Sequence, residues 1–248
     1  MMSITRAFEV CIKNWRLFMA IVLPIGVITV GMSHLANLWV NRYYPYPIEI
    51  LGTFNSKESI SMITRYVVSP LWIGALFYTL YKLDNEQTTS YGQAIAFGFS
   101  KWSKNLTIGL IGILLQFLPR GLYEYANLPG ALIYVLYFLA LLLIVRYFFV
   151  MPVLTLENHS YVHSVQRSAR LSDGKRVAIF FDLVALYMVI SVFTIMLSLS
   201  LSLLPITIPL PLDIHYVFIE GIVKPIIDLF IFVWIYVFYR EQQSLQPL

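Results

Sequence analysis

The sequence predicts an all-α, polytopic membrane protein of about six transmembrane helices, arranged as three hairpins with short amphipathic helices on the cytoplasmic side. Three observations predict it. Of 248 residues, 59% are hydrophobic and 12% charged, against about 45–50% and about 25% in soluble domains. Half the usual charge cannot cover a globule of this size, so a water-soluble enzyme is excluded, and so is disorder, which needs low hydrophobicity. Long apolar segments recur along the whole chain, giving a mean hydropathy of +0.75. The basic residues, finally, fall mainly on alternate connections between those segments.

The first segment, Leu17–Val40, follows Arg6, Lys13 and Arg16. A signal peptide has an apolar region of about 7–15 residues and a small-residue cleavage site. This run has 24 residues and no such site, so it reads as a retained helix rising about 36 Å, enough for a core about 30 Å thick. The second, Tyr66–Tyr81, is short, and Ser56–Thr64 leads into it. The third, Leu106–Leu118, is shorter, with Pro119 expected to kink or end it, and extends either back through Phe97 or on to Tyr123. Gly130–Leu156 and Val177–Leu204 are long, and Val217–Tyr239 is of standard length.

With both termini cytoplasmic, the inner side receives eleven of the seventeen basic residues: Arg6, Lys13, Arg16, Lys82, Lys101, Lys104, Arg167, Arg170, Lys175, Arg176 and Arg240. The outer side receives five, Arg42, Lys57, Arg65, Arg120 and Lys224, and Arg146 lies within a span. The positive-inside rule favours this orientation. It also accounts for the net charge of +4 without nucleic acid as a partner. Cys11 is the single cysteine, so an intrachain disulfide and a Cys-based zinc site are ruled out. His34, His159, His163 and His215 match no metal-ligand spacing on one helix face. No phosphate loop, nucleophile elbow or HExxH motif occurs, so no cofactor or enzymatic activity is expected. Trp15, Trp39, Trp102 and Trp234 fall near predicted span ends, as aromatic belts require.

An amphipathic stretch precedes each odd-numbered span: Ser3–Trp15, Tyr91–Trp102 and His163–Leu171. Each suggests a helix lying in the headgroup layer, then a basic corner, then the span. Residues 1–248 therefore read as one membrane domain with possible hairpin repeats 1–88, 89–158 and 159–248.

The stretch from Arg146 to Arg176 carries a motif. It contains Arg146, Pro152-Val153-Leu154, Glu157 and Ser168-Ala169-Arg170-Leu171-Ser172-Asp173-Gly174-Lys175. This resembles uncharacterised YciC-like bacterial inner-membrane proteins and the membrane domain of some glycerophosphoryl diester phosphodiesterases. The resemblance covers about thirty residues, and beyond them the six-span hydropathy pattern is similar. It implies an architecture and an inner-membrane location; the catalytic domain of those phosphodiesterases has no counterpart here. Physically, Pro152 loosens the end of span four, Ser160 or Ser164 caps the next short helix, and small Ser168 and Ala169 permit close packing. Arg167, Ser168, Arg170, Lys175 and Arg176 form a corner for headgroup contact, with each basic side chain contributing about 1 kcal/mol near an anionic surface.

Ionisable groups inside the spans are the other candidates, since each costs roughly 2.5–3.5 kcal/mol at a helix centre. Arg146 and Asp182 are placed to clamp spans four and five. Lys224 and Asp228, one turn apart, can neutralise each other, with Glu220 one turn further out. The leading expectation is a non-enzymatic envelope or lipid-associated factor or accessory subunit. It would contact membrane lipids and possibly a membrane-protein partner or a second copy. The alternative is a small transporter or lipid translocator using Arg146, Asp182, Lys224 and Asp228.

Overall fold

A computed structural model describes residues 2–43, 56–126, 129–157, 159–202 and 222–245. The tyrosine- and proline-rich segment 44–55, the proline run 205–211 and Glu220 lie outside them. The described chain is helical: α1 Met2–Lys13, α2 Trp15–Tyr43, α3 Ser56–Asp84, α4 Tyr91–Ala126, α5 Gly130–Arg146, α6 Val150–Leu156, α7 Tyr161–Leu171, α8 Arg176–Ser202 and α9 Lys224–Leu245. Three helical stretches are long and apolar enough to cross a membrane: Trp15–Met32, Ala131–Leu156 and Arg176–Leu197.

Helix ends follow local chemistry. Asn14 separates α1 from α2, and its carbonyl accepts from Leu17 and Phe18. α3 stops in a Schellman turn: Gln87 N–H donates to Lys82 O and Glu86 N–H to Leu83 O, with Glu86 at φ 55° in the position glycine usually takes. α4 opens on a capping box, Ser90 Oγ accepting from Gln93 N–H while Gln93 Oε1 accepts from Ser90 N–H. Ser160 caps α7, as its sequence position suggested, accepting from His163 N–H. Gly174, at φ +72°, turns the chain from α7 into α8. That backbone conformation favours glycine.

Two expectations change here. The second amphipathic stretch does not end in a corner: α4 runs unbroken from Tyr91 to Ala126 and passes Pro119. Span four, conversely, is not one helix. It breaks at Tyr147–Phe149, upstream of the Pro152 expected to loosen it. Proline at 152 cannot donate to the carbonyl of residue 148. Breaking at 147–149 puts Pro152 in the first turn of α6, where no intrahelical donor is needed.

The core forms around α9, which packs on α1, α2, α3, α6 and α7. Residues Val233 to Tyr239 are all buried. Its rings interlock with α3 and the α5–α6 turn: Trp72 to Phe232 at 5.3 Å, Phe148 to Trp234 at 5.2 Å and Phe149 to Phe238 at 5.5 Å. Such edge-to-face pairs each add about 0.5–1.5 kcal/mol beyond area burial. Trp234, expected at an interface, is fully buried, because α9 occupies the centre. α8 is the opposite case. It packs on α5, and 11% of its apolar window is buried. Among the described residues α8 packs mainly on α5, and α9 on the earlier helices.

α3 and α4 meet through glycine. A Cβ on Gly98 would run into the Leu71 carbonyl oxygen, and one on Gly74 would lie 3.0 Å from Gly98 Cα. Absent side chains let the two backbones approach.

Candidate functional site

Polar groups concentrate at one end of the bundle, where the C-termini of α3 and α9, the α1–α2 junction and the α6–α7 turn converge. Glu157 follows α6 directly, its backbone N–H donating to Val153 O. This holds its carboxylate beneath α9, 7% exposed. Tyr239 OH donates to Glu157 Oε1 at 2.7 Å. Glu157 Oε2 lies 3.1 Å from His159 Nε2 and 3.8 Å from Arg167 Nε. One buried carboxylate thus gathers α6, α7 and α9, and a buried carboxylate needs such partners to remain charged.

Beside it, Arg240 Nε donates to Asp84 Oδ2 at 2.6 Å, joining the ends of α3 and α9, and Arg240 Nη1 donates to Gln243 Oε1 at 2.8 Å. Tyr236 OH reaches the same Asp84 oxygen at 3.5 Å. These groups floor a cleft of about 230 Å³ whose polar wall is Arg6, Lys13, Asn14, Asp84 and Arg240. Three basic groups against one carboxylate give it a net positive character. Arg6 and Lys13 share one face of α1, two turns apart. On its packed face, burial pushes the Cys11 thiol up to about 11, which leaves it protonated and unreactive at neutral pH.

A second polar knot sits deeper. Thr155 Oγ1 donates to Asn105 Oδ1 at 2.9 Å, and Asn105 Nδ2 donates to Pro70 O at 3.3 Å. Asn105 and Thr155 are both buried. Trp102 Nε1 donates to Val67 O at 2.8 Å. Proline within α3 disturbs its backbone ladder, and α4 supplies side-chain donors to carbonyls around that disturbance. The knot ties α3, α4 and α6.

The residues expected from sequence divide. Arg146 ends α5 and lines the same groove as Arg176, the first residue of α8; Asp182 is not part of that lining. Among the described residues neither Arg146 nor Asp182 forms a salt bridge, so the expected clamp is absent. Asp182 lies six residues, about 9 Å, along α8 from Arg176. Lys224 and Asp228 stand one turn apart at the start of α9, both half-buried. In the basic corner, Arg170 and Lys175 are exposed. Arg176 pairs with Asp173 at 3.2 Å. Arg167 turns inward to Glu157, and Ser168 is fully buried. Of the corner's five residues, Arg167 and Ser168 thus face the bundle, Ser168 packing closely as its small size allows, and Arg170, Lys175 and Arg176 face outward.

Sequence reasoning did not link Glu157 to Tyr239, Asp84 to Arg240, or Asn105 to Thr155. The one available signal was polar residues flanking apolar runs, and nothing in their spacing links positions 84 and 240. No protein-family model, no curated protein and no solved structure matches the chain.

Proposed function

We propose that this chain is a six-span protein of a bacterial inner membrane, both termini cytoplasmic, serving as a non-enzymatic, lipid-associated envelope factor or accessory subunit. The observation that carries this reading is the division of its surface. Val177, Tyr187, Val189, Val192 and Met196 stand exposed along α8, while the carboxylates and guanidiniums described above gather at one end. A helix whose exposed side chains are broadly apolar and of which little is buried is suited to hydrocarbon surroundings. Amphipathic α1, with Phe8 and Ile12 exposed and Trp15 exposed at the start of α2, suits the headgroup layer beside that end. The basic cleft would there face anionic headgroups and the cytoplasm.

The test is accessibility and retention together. In a Cys11→Ser background, cysteines at Glu86 and Lys175 should react with an impermeant maleimide in inverted vesicles and resist it in intact cells. The protein should stay in membranes through an alkaline carbonate wash and purify with bound phospholipid. Labelling from outside, release by carbonate, or turnover of phospholipid by purified protein would each overturn the proposal.

A transport reading has one observation in its favour: Asp182 is half-buried on apolar α8 with no salt bridge among the described residues. It predicts that solute or lipid flux in proteoliposomes is lost in Asp182→Asn. No flux with wild-type protein removes it.

A further inference from the structure

Between α5 and α8 the outward surface opens into a groove of about 720 Å³, within the range of about 300–1,000 Å³ usual for ligand sites. Its walls are apolar, with Leu139 and Leu142 from α5 and Phe180 from α8. Arg146 and Arg176 line the same groove. Arg146 is exposed and forms no salt bridge among the described residues; its guanidinium lies 5.6 Å from the Tyr147 ring. Arg176 is held by an exposed carboxylate, Asp173, at 3.2 Å, a contact of the weak, solvent-screened kind. The first turn of α8 adds backbone N–H groups with no partner inside the helix.

We infer that this groove binds one anionic phospholipid, with its phosphate between Arg146 and Arg176 and an acyl chain along the leucines and Phe180. Three features select this occupant. Guanidinium pairs suit phosphate oxygens, which they can meet bidentately. The apolar wall offers nothing to a soluble anion but fits a chain attached to one. A second copy packed symmetrically would bring the same two arginines face to face, where like charges repel. The inference rests on the lipid-associated reading above and names the site and the lipid class.

The experiment uses full-length protein in detergent, titrated with phosphatidylglycerol, with phosphatidylcholine of the same chains, and with glycerol phosphate, bound species being counted by native mass spectrometry. One phosphatidylglycerol should bind in preference to phosphatidylcholine, and glycerol phosphate should not compete. Arg146→Gln and Arg176→Gln should each weaken phosphatidylglycerol about fivefold, and the double variant more than either alone. Asp173→Asn, which frees Arg176, should tighten it. Leu142→Trp, which fills the groove from an exposed position, should block the chain with both arginines in place. Equal affinity for the two lipids, full competition by glycerol phosphate, or a double variant that elutes normally and binds as wild type would overturn the site. Retention of other phospholipid in those cases leaves the broader reading standing; loss of all bound phospholipid in wild-type protein ends both.

Discussion

Asn105 shows what one polar side chain does inside an apolar bundle. It accepts from Thr155 and donates to the Pro70 carbonyl, with both side chains buried. Removing one member of a buried hydrogen-bonded set costs about 1–3 kcal/mol, because the partner is left without water or protein to bond. Asn105→Leu should therefore destabilise the detergent-solubilised protein by about 2 kcal/mol. Adding Thr155→Val should cost less than the sum of the two single changes, since the second removes an already stranded hydroxyl. A double-mutant cycle by thermal unfolding measures this, and strict additivity would show that the knot is not coupled. Asn105 was visible in sequence only as a polar residue before an apolar run. Its partners lie 35 and 50 positions away, beyond any local pattern.

At the scale of elements, the α3–α4 crossing depends on missing side chains. Gly98→Ala would press a methyl group into the Leu71 carbonyl, a backbone atom that cannot step aside. A loss of about 2–3 kcal/mol is expected, in the range of overpacking and strain. Gly92→Ala, on the same helix with nothing within 4 Å, should instead stabilise by about 0.5–1 kcal/mol through backbone entropy. Opposite signs at two glycines of one helix are the expected result of parallel melting curves. Element identity was largely legible. Each predicted span is helical where described, apart from the break at Tyr147–Phe149, and Ser160 caps α7. Element ends were less so. The break before α6 depends on where Pro152 is tolerated, and the unbroken α4 depends on packing along α3.

For the whole molecule, the arrangement of charge decides how the ends of distant helices are held. Asp84 and Arg240 join α3 to α9 across 156 positions. Their side chains are 26% and 32% exposed, so the pair contributes modestly, about 1 kcal/mol or less. Asp84→Asn should lower stability by that amount in low salt, with the difference from wild type shrinking as ionic strength rises. A salt-independent difference would assign the effect to packing of Tyr236 and Arg240.

Composition and periodicity by themselves determined that the chain is helical and carries segments long and apolar enough to cross a membrane, because apolar excess and segment length are local quantities that any packing must satisfy. They also located the basic corner between α7 and α8. Tertiary structure alone decided which helix is central, that Arg146 and Arg176 line one groove, and that Glu157 collects three helices. Those are facts of distance between residues far apart in sequence. They follow from how ridges, glycines and buried hydrogen bonds fit in three dimensions, a constraint that hydropathy along the chain does not contain.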